Sequence, residues 1–235
     1  MPFETIAALN QTIVQCDHCA RLRAYCSHVA QVKRRAYLNQ VYWGRPVAGF
    51  GDPLANILVV GLAPGAHGSN RTGRMFTGDR SGDFLYAALY RAGLCNQPTT
   101  ISLDDGLTLH GIYITAVARC APPDNKPLPT ELVACQPYLE AELDLLANVN
   151  TILCLGKIAF DQVLRLLPAR GQHWSETRPV FGHGVEYQLG KYRLAASYHP
   201  SQQNTQTGRL TAAMMDAVLQ ELVLRRTRST QIFVE

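Results

Sequence analysis

Short apolar runs rich in branched side chains alternate with longer stretches of helical periodicity, and this alternation restricts the possible folds more than any other feature. The apolar runs cover residues 56–61, 112–115, 151–155 and 192–197. The helical stretches cover residues 83–92, 130–147, 156–167 and 211–226. Strands that alternate with helices form a mostly parallel sheet with helices on both faces, because the crossover connections are right-handed.

We therefore expect an α/β fold, a three-layer α/β/α sandwich with a central, mostly parallel four-stranded sheet. Residues 185–189 indicate an additional edge strand, and residues 1–45 predict a helical N-terminal extension. The chain shows no repeat or long linker, so residues 1–235 are expected to form a single domain. Ligands of such sheets bind beyond the carboxyl ends of the strands, so the loops that follow the four apolar runs should share one crevice.

Composition limits the class of protein. Hydrophobic residues make up 47% and charged residues 17% of 235 residues, which excludes a disordered chain and one that depends on disulfides. No apolar run approaches the roughly 20 residues of a membrane span, and the start does not look like a signal peptide. We expect a cytoplasmic monomer with no membrane association.

The formal charge of +4 is compatible with a polyanionic partner such as a nucleic acid, although solvated helix faces explain it equally well. Basic residues crowd the first fifth of the chain, a glycine-rich loop and the end. In the loop they are Arg71, Arg74 and Arg80.

The first motif is the glycine-rich passage from Gly61 to Gly82, which follows the first apolar run. It matches neither the dinucleotide-binding nor the phosphate-binding glycine pattern. It contains one aromatic residue, Phe76, one carboxylate, Asp79, and arginines, which suit base stacking and phosphate neutralisation. Taken alone, Phe76 is more typical of a core position.

The second motif places His199 directly before a proline at the end of the last apolar run. A histidine here can point into the crevice or be a structural group. The polar loop after it leads to Arg209 and Leu210, and a bulky residue on this loop is a candidate wedge for a base stack.

Four of the seven cysteines form two pairs, and the absence of a secretory signal favours a reducing compartment. Cys16 and Cys19 form a C-x-x-C, whereas Cys120 and Cys135 are widely spaced. Four thiolates suit zinc or a 4Fe-4S cluster, and the wide second pair fits a zinc ribbon poorly. Four unliganded buried thiols are the alternative.

Three motifs in the same order resemble the uracil-DNA glycosylase superfamily, specifically its iron-sulfur branch, family 5 or type B, of bacteria and archaea. They are residues 61–82, residues 119–127, and residues 199–201 with 208–211. The resemblance implies an α/β/α sandwich that flips and excises uracil and other deaminated bases from double- and single-stranded DNA, in the prokaryotic cytosol or nucleoid. It also implies a 4Fe-4S cluster held by Cys16, Cys19, Cys120 and Cys135.

Cleavage of a base from its sugar leaves negative charge on the base and positive charge on the sugar, which assigns roles to the matching residues. We expect His199 to donate a hydrogen bond to the base and Asp79 to activate the water. Asn125, or backbone around Ala63 to Ala66, is the alternative for the water. The expected base-binding residues are Gly61, Ala63, Pro64, Gly65, Ala66 and Phe76. The expected DNA contacts are Arg71, Arg74, Ser201, Gln202, Asn204, Arg209 and Leu210.

Two positions depart from family 4, a related branch of the superfamily. Leu62 replaces the glutamate of its first motif, and Ala116 occupies the place of an asparagine that reads the uracil edge. Loss of that amide fits a broader range of bases. Because Leu62 is not an acid, the alternative is a protein that binds damaged DNA or a nucleotide without catalysing a reaction. An iron-sulfur oxidoreductase on a flavodoxin-like sheet is less favoured, because no flavin or dinucleotide signature is present.

Overall fold

A computed structural model describes residues 3–175 and 177–231. Its helices are α1 (Ile6–Val14), α2 (Ala20–Val32), α3 (Ser69–Thr72), α4 (Arg80–Arg91), α5 (Pro129–Leu145), α6 (Lys157–Ala169), α7 (Gln202–Gln206) and α8 (Ala212–Gln231). Its strands are β1 (Phe50–Gly51), β2 (Ile57–Gly61), β3 (Ile112–Ala116), β4 (Thr151–Leu155), β5 (Glu186–Leu189) and β6 (Tyr192–Ser197). In the described part of the chain, no helix is both long and apolar enough to cross a membrane.

The sheet has the strand order β1-β3-β2-β4-β6-β5. The inner strands β3, β2, β4 and β6 are parallel, whereas β1 and β5 pair antiparallel at the two edges. The predicted α/β class with a mostly parallel sheet is therefore confirmed, and the expected four strands are the inner ones of six. The edge strand expected at 185–189 is present as β5. The other edge strand, β1, is two residues long and leaves no apolar run to detect.

The inner strands are buried on both faces, so alternate side chains enter two separate cores. Val59 and Ile114 face one core, where α4 and α8 pack. Leu58 and Val60 face the other, where α5 and α6 pack. The expected three layers are thus helices, sheet and helices.

The N-terminal stretch is helical, as expected, and α1 and α2 lie against α5. Leu9 and Ile13 of α1 pack on Tyr138. In α2, Arg21 donates to both carboxylate oxygens of Glu131 at 2.7 and 2.8 Å. These contacts bring the first two cysteines towards the loop that follows β3.

Candidate active site

The motif loops meet at the carboxyl ends of the parallel strands. The backbone N–H groups of Val117 and Ala118 donate to the carbonyls of Gly61 and Leu62, each at 3.0 Å, so the loops after β2 and β3 run side by side. Gly156, after β4, donates to the Ser197 carbonyl at the end of β6 at 2.9 Å. The structure therefore gathers the predicted loops at one edge of the sheet.

Phe76 forms an aromatic wall at this edge. Its backbone has a φ of +53°, a left-handed conformation that few non-glycine residues adopt. The ring lies so close to Gly61 that a Cβ there would be 2.8 Å from Phe76 Cζ. Its centre is 5.9 Å from the centre of the His199 ring. Phe76 is only 9% exposed and belongs to the core that contains Val59 and Ile114.

Asp79 begins α4 and lies behind the loop after β2. Its Oδ1 accepts hydrogen bonds from the N–H groups of Ser81 and Gly82 at 3.0 and 3.1 Å. A Cβ at Gly68 would be only 2.0 Å from Oδ2, so the bare glycine makes room for the carboxylate. Burial raises the pKa of Asp79, while these N–H groups and the Arg71 charge oppose the rise.

His199 follows β6 and lies against Gly156, where a Cβ would be 3.3 Å from that of the histidine. Its carbonyl accepts a hydrogen bond from Asn204 Nδ2 at 2.9 Å. Burial lowers the pKa of His199 to about 4. The imidazole is therefore neutral near pH 7 and can donate only from its one protonated nitrogen.

The other predicted base-binding and catalytic residues make no hydrogen bond or ring contact with Phe76 or His199 in the described part of the chain. Pro64 is buried, and Ala63 packs against the core that holds α5 and α6. Ala66 packs beside Cys120. Asn125 is exposed in a tight turn with a φ of +56°, and among the described residues its side chain makes no hydrogen bond. The structure does not bring Asn125 into contact with Asp79 or His199.

Two of the predicted DNA contacts are internal, which corrects the expectation for Arg71 and Arg74. Arg74 is 1% exposed and donates to Asp105 at 2.6 Å and to Thr100 at 2.9 Å. Arg71 is 8% exposed and bonds to three neighbouring segments. Both guanidinium groups make their hydrogen bonds within the protein, and Arg71 also lines a cavity.

The loop after His199 also differs from the expectation. Leu210 is 0% exposed and packs in the core with α4 and α8, so it does not act as a wedge in this conformation. Asn204 turns inward to the His199 carbonyl, and the Ser201 hydroxyl caps α7. Gln202 and Arg209 are exposed, with Arg209 Cζ 4.7 Å from the centre of the Tyr198 ring. These two are the predicted DNA contacts that remain accessible.

Cys16, Cys19, Cys120 and Cys135 carry free thiols. Burial raises the pKa of Cys19 to about 11, and the charges of Cys135, Cys120, Glu131 and Cys16 contribute to the rise. Among the described residues, no three His, Cys, Asp or Glu side chains are arranged to hold a metal ion.

A buried ion pair adjoins this thiol group. Arg119 and Glu142 are 1% and 0% exposed, with Arg119 Nη2 2.7 Å from Glu142 Oε2. Thr115 bonds to both partners. Arg119 Nε is buried with no hydrogen-bond partner in the described structure, and the charge of Cys135 acts on this guanidinium.

Sequence reasoning missed the N-terminal side of the site. Tyr37 and Gln40 contact Arg71, and the Tyr42 hydroxyl lies 3.0 Å from His67 Nδ1. These residues are distant from the glycine-rich motif in sequence, and only the basic, aromatic character of residues 33–43 hinted at them.

Comparison with known proteins agrees with this geometry. The family model described as "Uracil DNA glycosylase superfamily" matches residues 48–223. This interval includes β1 to β6 and every predicted catalytic residue.

Curated relatives named "Type-5 uracil-DNA glycosylase" match over most of the chain. The one from Mycobacterium tuberculosis is 52% identical over 92% of this chain and 80% of its own length. The one from Mycobacterium leprae is 52% identical over 92% of this chain and 94% of its own. The one from Thermus thermophilus is 51% identical over 91% and 95%.

Proposed function

This chain belongs to the uracil-DNA glycosylase superfamily, and on that premise we propose that it is a monofunctional DNA glycosylase that excises uracil by hydrolysing the N-glycosidic bond and so initiates base excision repair. The observation that carries the proposal is the approach of the Phe76 ring to His199 at the carboxyl end of the sheet. Asp79 lies behind the neighbouring loop. An aromatic face, a hydrogen-bond donor and a buried carboxylate are the groups that removal of a flipped base requires.

The base must leave the stack before it can be removed, and unstacking costs a few kcal/mol. Stacking on the Phe76 face offsets part of this cost, because base-aromatic stacking contributes about 1–3 kcal/mol. A single-stranded substrate avoids much of the cost. We therefore include both duplex and single-stranded DNA among the substrates of a monomeric enzyme.

His199 stabilises the departing base. As the bond breaks, negative charge collects on the base oxygens, and the N–H of the neutral imidazole donates to one of them. Loss of one such donor typically costs about 3 kcal/mol, or roughly a hundredfold in rate. The Asn204 hydrogen bond to the His199 carbonyl holds the backbone of this donor in place.

Asp79 serves the sugar side of the reaction. Its Oδ1 is occupied by the helix N–H groups, whereas Oδ2 makes no hydrogen bond to the described residues and is free to accept one from water. The ionised carboxylate would orient that water and stabilise positive charge on the sugar. Asn125 and the backbone from Ala63 to Ala66 are the alternative positions for the water.

The base range is proposed to extend beyond uracil to other deaminated bases. Ala116 ends β3 opposite Gly61 and is buried, so no amide projects from this position to inspect the base edge. A site without that donor and acceptor discriminates less strongly between bases.

We also propose that Cys16, Cys19, Cys120 and Cys135 hold a 4Fe-4S cluster. Four thiolates are the usual ligands of such a cluster, and the charges of Cys135, Cys120 and Cys16 act on Cys19, which supports the proposal. The unpartnered Arg119 Nε is a further fit, since an anionic cluster would accept its hydrogen bond. When bound, the cluster would cross-link the N-terminal helices to α5 and to the loop after β3.

Incubation with a uracil-containing duplex, scored for alkali-labile breaks, tests the proposed activity. An enzyme generates abasic sites, whereas the rival non-catalytic binder only retards the DNA on a gel. The Asp79→Asn variant separates chemistry from folding, because asparagine also caps helices. We expect it to fold and to lose excision. Normal single-turnover excision by Asp79→Asn would transfer the role of Asp79 to Asn125 or to the backbone.

A further inference from the structure

The guanidinium group of Arg71 joins three separate segments of the chain. Nε donates to the His67 carbonyl at 2.8 Å, and Nη2 donates to the Gly78 carbonyl at 2.6 Å. Nη1 donates to Gln40 Oε1 at 2.5 Å, and Cζ lies 4.0 Å from the centre of the Tyr37 ring. Lysine cannot reproduce this set, because three acceptors in different directions match only the planar fork of arginine.

Two of these acceptors, the carbonyls of His67 and Gly78, lie next in sequence to residues of the Asp79 site. Gly78 directly precedes Asp79, and His67 directly precedes Gly68, whose bare Cα lies against Asp79 Oδ2. A single side chain thus fixes the turn that carries the carboxylate and the turn that confines it.

The third segment is the N-terminal segment 37–44, which is bound to the same loop by further hydrogen bonds. The N–H of Trp43 donates to the Arg71 carbonyl, and that of Gly44 donates to the Asn70 carbonyl, both at 2.9 Å. The Tyr42 hydroxyl bonds to His67. The segment therefore holds the outer side of the loop through both main chain and side chains.

A shared cavity and an electrostatic effect also link Arg71 to Asp79. A cavity of about 300 Å³ is lined by both Arg71 and Asp79, together with the exposed Arg80. Burial and the Asp83 carboxylate raise the pKa of Asp79, whereas the N–H groups of Gly82 and Ser81 and the Arg71 charge lower it. Removal of that charge would leave the carboxyl protonated at a higher pH.

We propose that Arg71 is a positioning residue, through which the N-terminal segment 37–44 holds the Asp79 carboxylate in its reactive place. The inference rests on the proposed function and on the role given there to Asp79. It replaces the expectation that Arg71 binds a DNA phosphate. The two roles differ in what they control: a positioning residue sets the rate of the chemical step, and a phosphate contact sets affinity.

Single-turnover excision with enzyme in excess separates these roles. For Arg71→Lys we expect a fall of about tenfold to a hundredfold in the maximal rate, as for a displaced catalytic group, with DNA affinity within about twofold of the parent. For Arg71→Ala we also expect the acid limb of the pH profile to move to higher pH. The matched control is Arg35→Ala, which removes an exposed cation that does not line this cavity and should leave the maximal rate unchanged. Wild-type rates in both Arg71 variants, or a defect that saturating enzyme abolishes, would overturn the proposal.

Two further measurements decide on the proposal even if the Arg71 variants do not fold or the proposed function is wrong. Gln40→Glu is an exposed change that keeps the Arg71 contact and offsets its charge, so it should shift the acid limb in the same direction by a smaller amount. Titration of the Asp79 carboxyl by ¹³C NMR needs no activity and should show a higher pKa in Arg71→Ala or Gln40→Glu than in the parent. An unchanged titration refutes the electrostatic coupling. A parent protein that leaves uracil in DNA refutes the function, and the titration still decides on Arg71.

Discussion

The rings of Phe76 and His199 are 5.9 Å apart and inclined by 31°, so the residue proposed to stack on the base lies beside the residue proposed to donate a hydrogen bond to it. Phe76→Leu keeps this position apolar and removes the aromatic face. We expect its kcat/KM for uracil in duplex DNA to fall by about tenfold to a hundredfold, since stacking contributes about 1–3 kcal/mol. Phe160→Leu, in the core beyond the sheet, should lower thermal stability and leave the excision rate intact. Equal losses of excision in the two variants would contradict the stacking role.

Gly68→Ala should inactivate the enzyme without removing a polar group. The added methyl would lie 2.0 Å from Asp79 Oδ2, so the carboxylate must move. Because a shift of about 1 Å can cost about a hundredfold, we expect a loss of at least that size in single-turnover excision. Gly93→Ala is the control: a Cβ there meets nothing within 4 Å, and because its φ of +72° disfavours alanine, this variant should lose stability but keep excision. Wild-type excision by Gly68→Ala would show that the Oδ2 position is unimportant.

The pH dependence of stability should reveal the burial of His199. Its folded pKa of about 4 lies below the ordinary value of 6.5. The unfolded chain therefore takes up the proton first, and stability falls as the pH drops from 6.5 towards 4, by at most about 1.4 kcal/mol per pH unit. Urea unfolding at pH 7 and pH 5 should show a larger loss for the parent than for His199→Gln. Equal losses would contradict a depressed pKa.

The same shift makes a kinetic prediction. His199 is neutral above about pH 4, so its protonation should not limit excision between pH 6 and pH 8. An acid-side decline should instead follow Asp79, whose pKa is raised by burial. The decline should therefore persist in His199→Gln, measured as its residual single-turnover rate across pH. A profile that loses its acid limb in that variant would reassign the titration to His199.

Cluster binding should depend on Cys135 and not on every buried cysteine. Cys135→Ser should lower iron and acid-labile sulfide content and reduce thermal stability, because the cross-link between α5 and the N-terminal helices is lost. Cys154 lies in β4 and is fully buried in the sheet. Cys154→Ser is the matched control and should retain iron. Full iron content in Cys135→Ser would remove this residue from the ligand set.

Leu210→Ala should behave as a core mutation. Its side chain is fully buried, and loss of such a leucine typically lowers the free energy of unfolding by about 2–5 kcal/mol. DNA affinity measured below the unfolding range should remain near that of the parent, whereas Arg209→Ala should weaken binding and reduce its salt dependence. A loss of affinity without a loss of stability in Leu210→Ala would restore the wedge.

The inner strands and the four long helices after residue 80 were predictable because their pattern is local. Branched apolar runs specify buried parallel strands, and the helical period specifies the helices that cover them. The carboxyl-end crevice followed from topology alone. The two-residue strand β1 carries no such pattern, and its pairing with β3 depends on tertiary contact.

The site was only partly predictable, since a sequence shows charge but not its partner. From the sequence, both Arg71 and Arg74 were predicted to contact a phosphate. In the structure, Arg74 forms an ion pair with Asp105 at 2.6 Å, and Arg71 donates hydrogen bonds to three acceptors. Leu210 lies at the end of a polar loop, and nothing local shows that its side chain returns to the core. Asp79 and His199 were predicted because each lies within a recognisable motif, and their catalytic roles stay predictions.

Asp79 has two duties, one for each oxygen: Oδ1 starts a helix, and Oδ2 faces the loop after β2. A homologue without glycosylase activity would still be stabilised by the helix cap and would keep the aspartate for that reason. Retention of this residue in a distant cousin therefore says little about whether that cousin is an enzyme. The glycine at position 68 serves both duties, because a Cβ there would lie 2.7 Å from Asp79 Cγ as well as 2.0 Å from Oδ2.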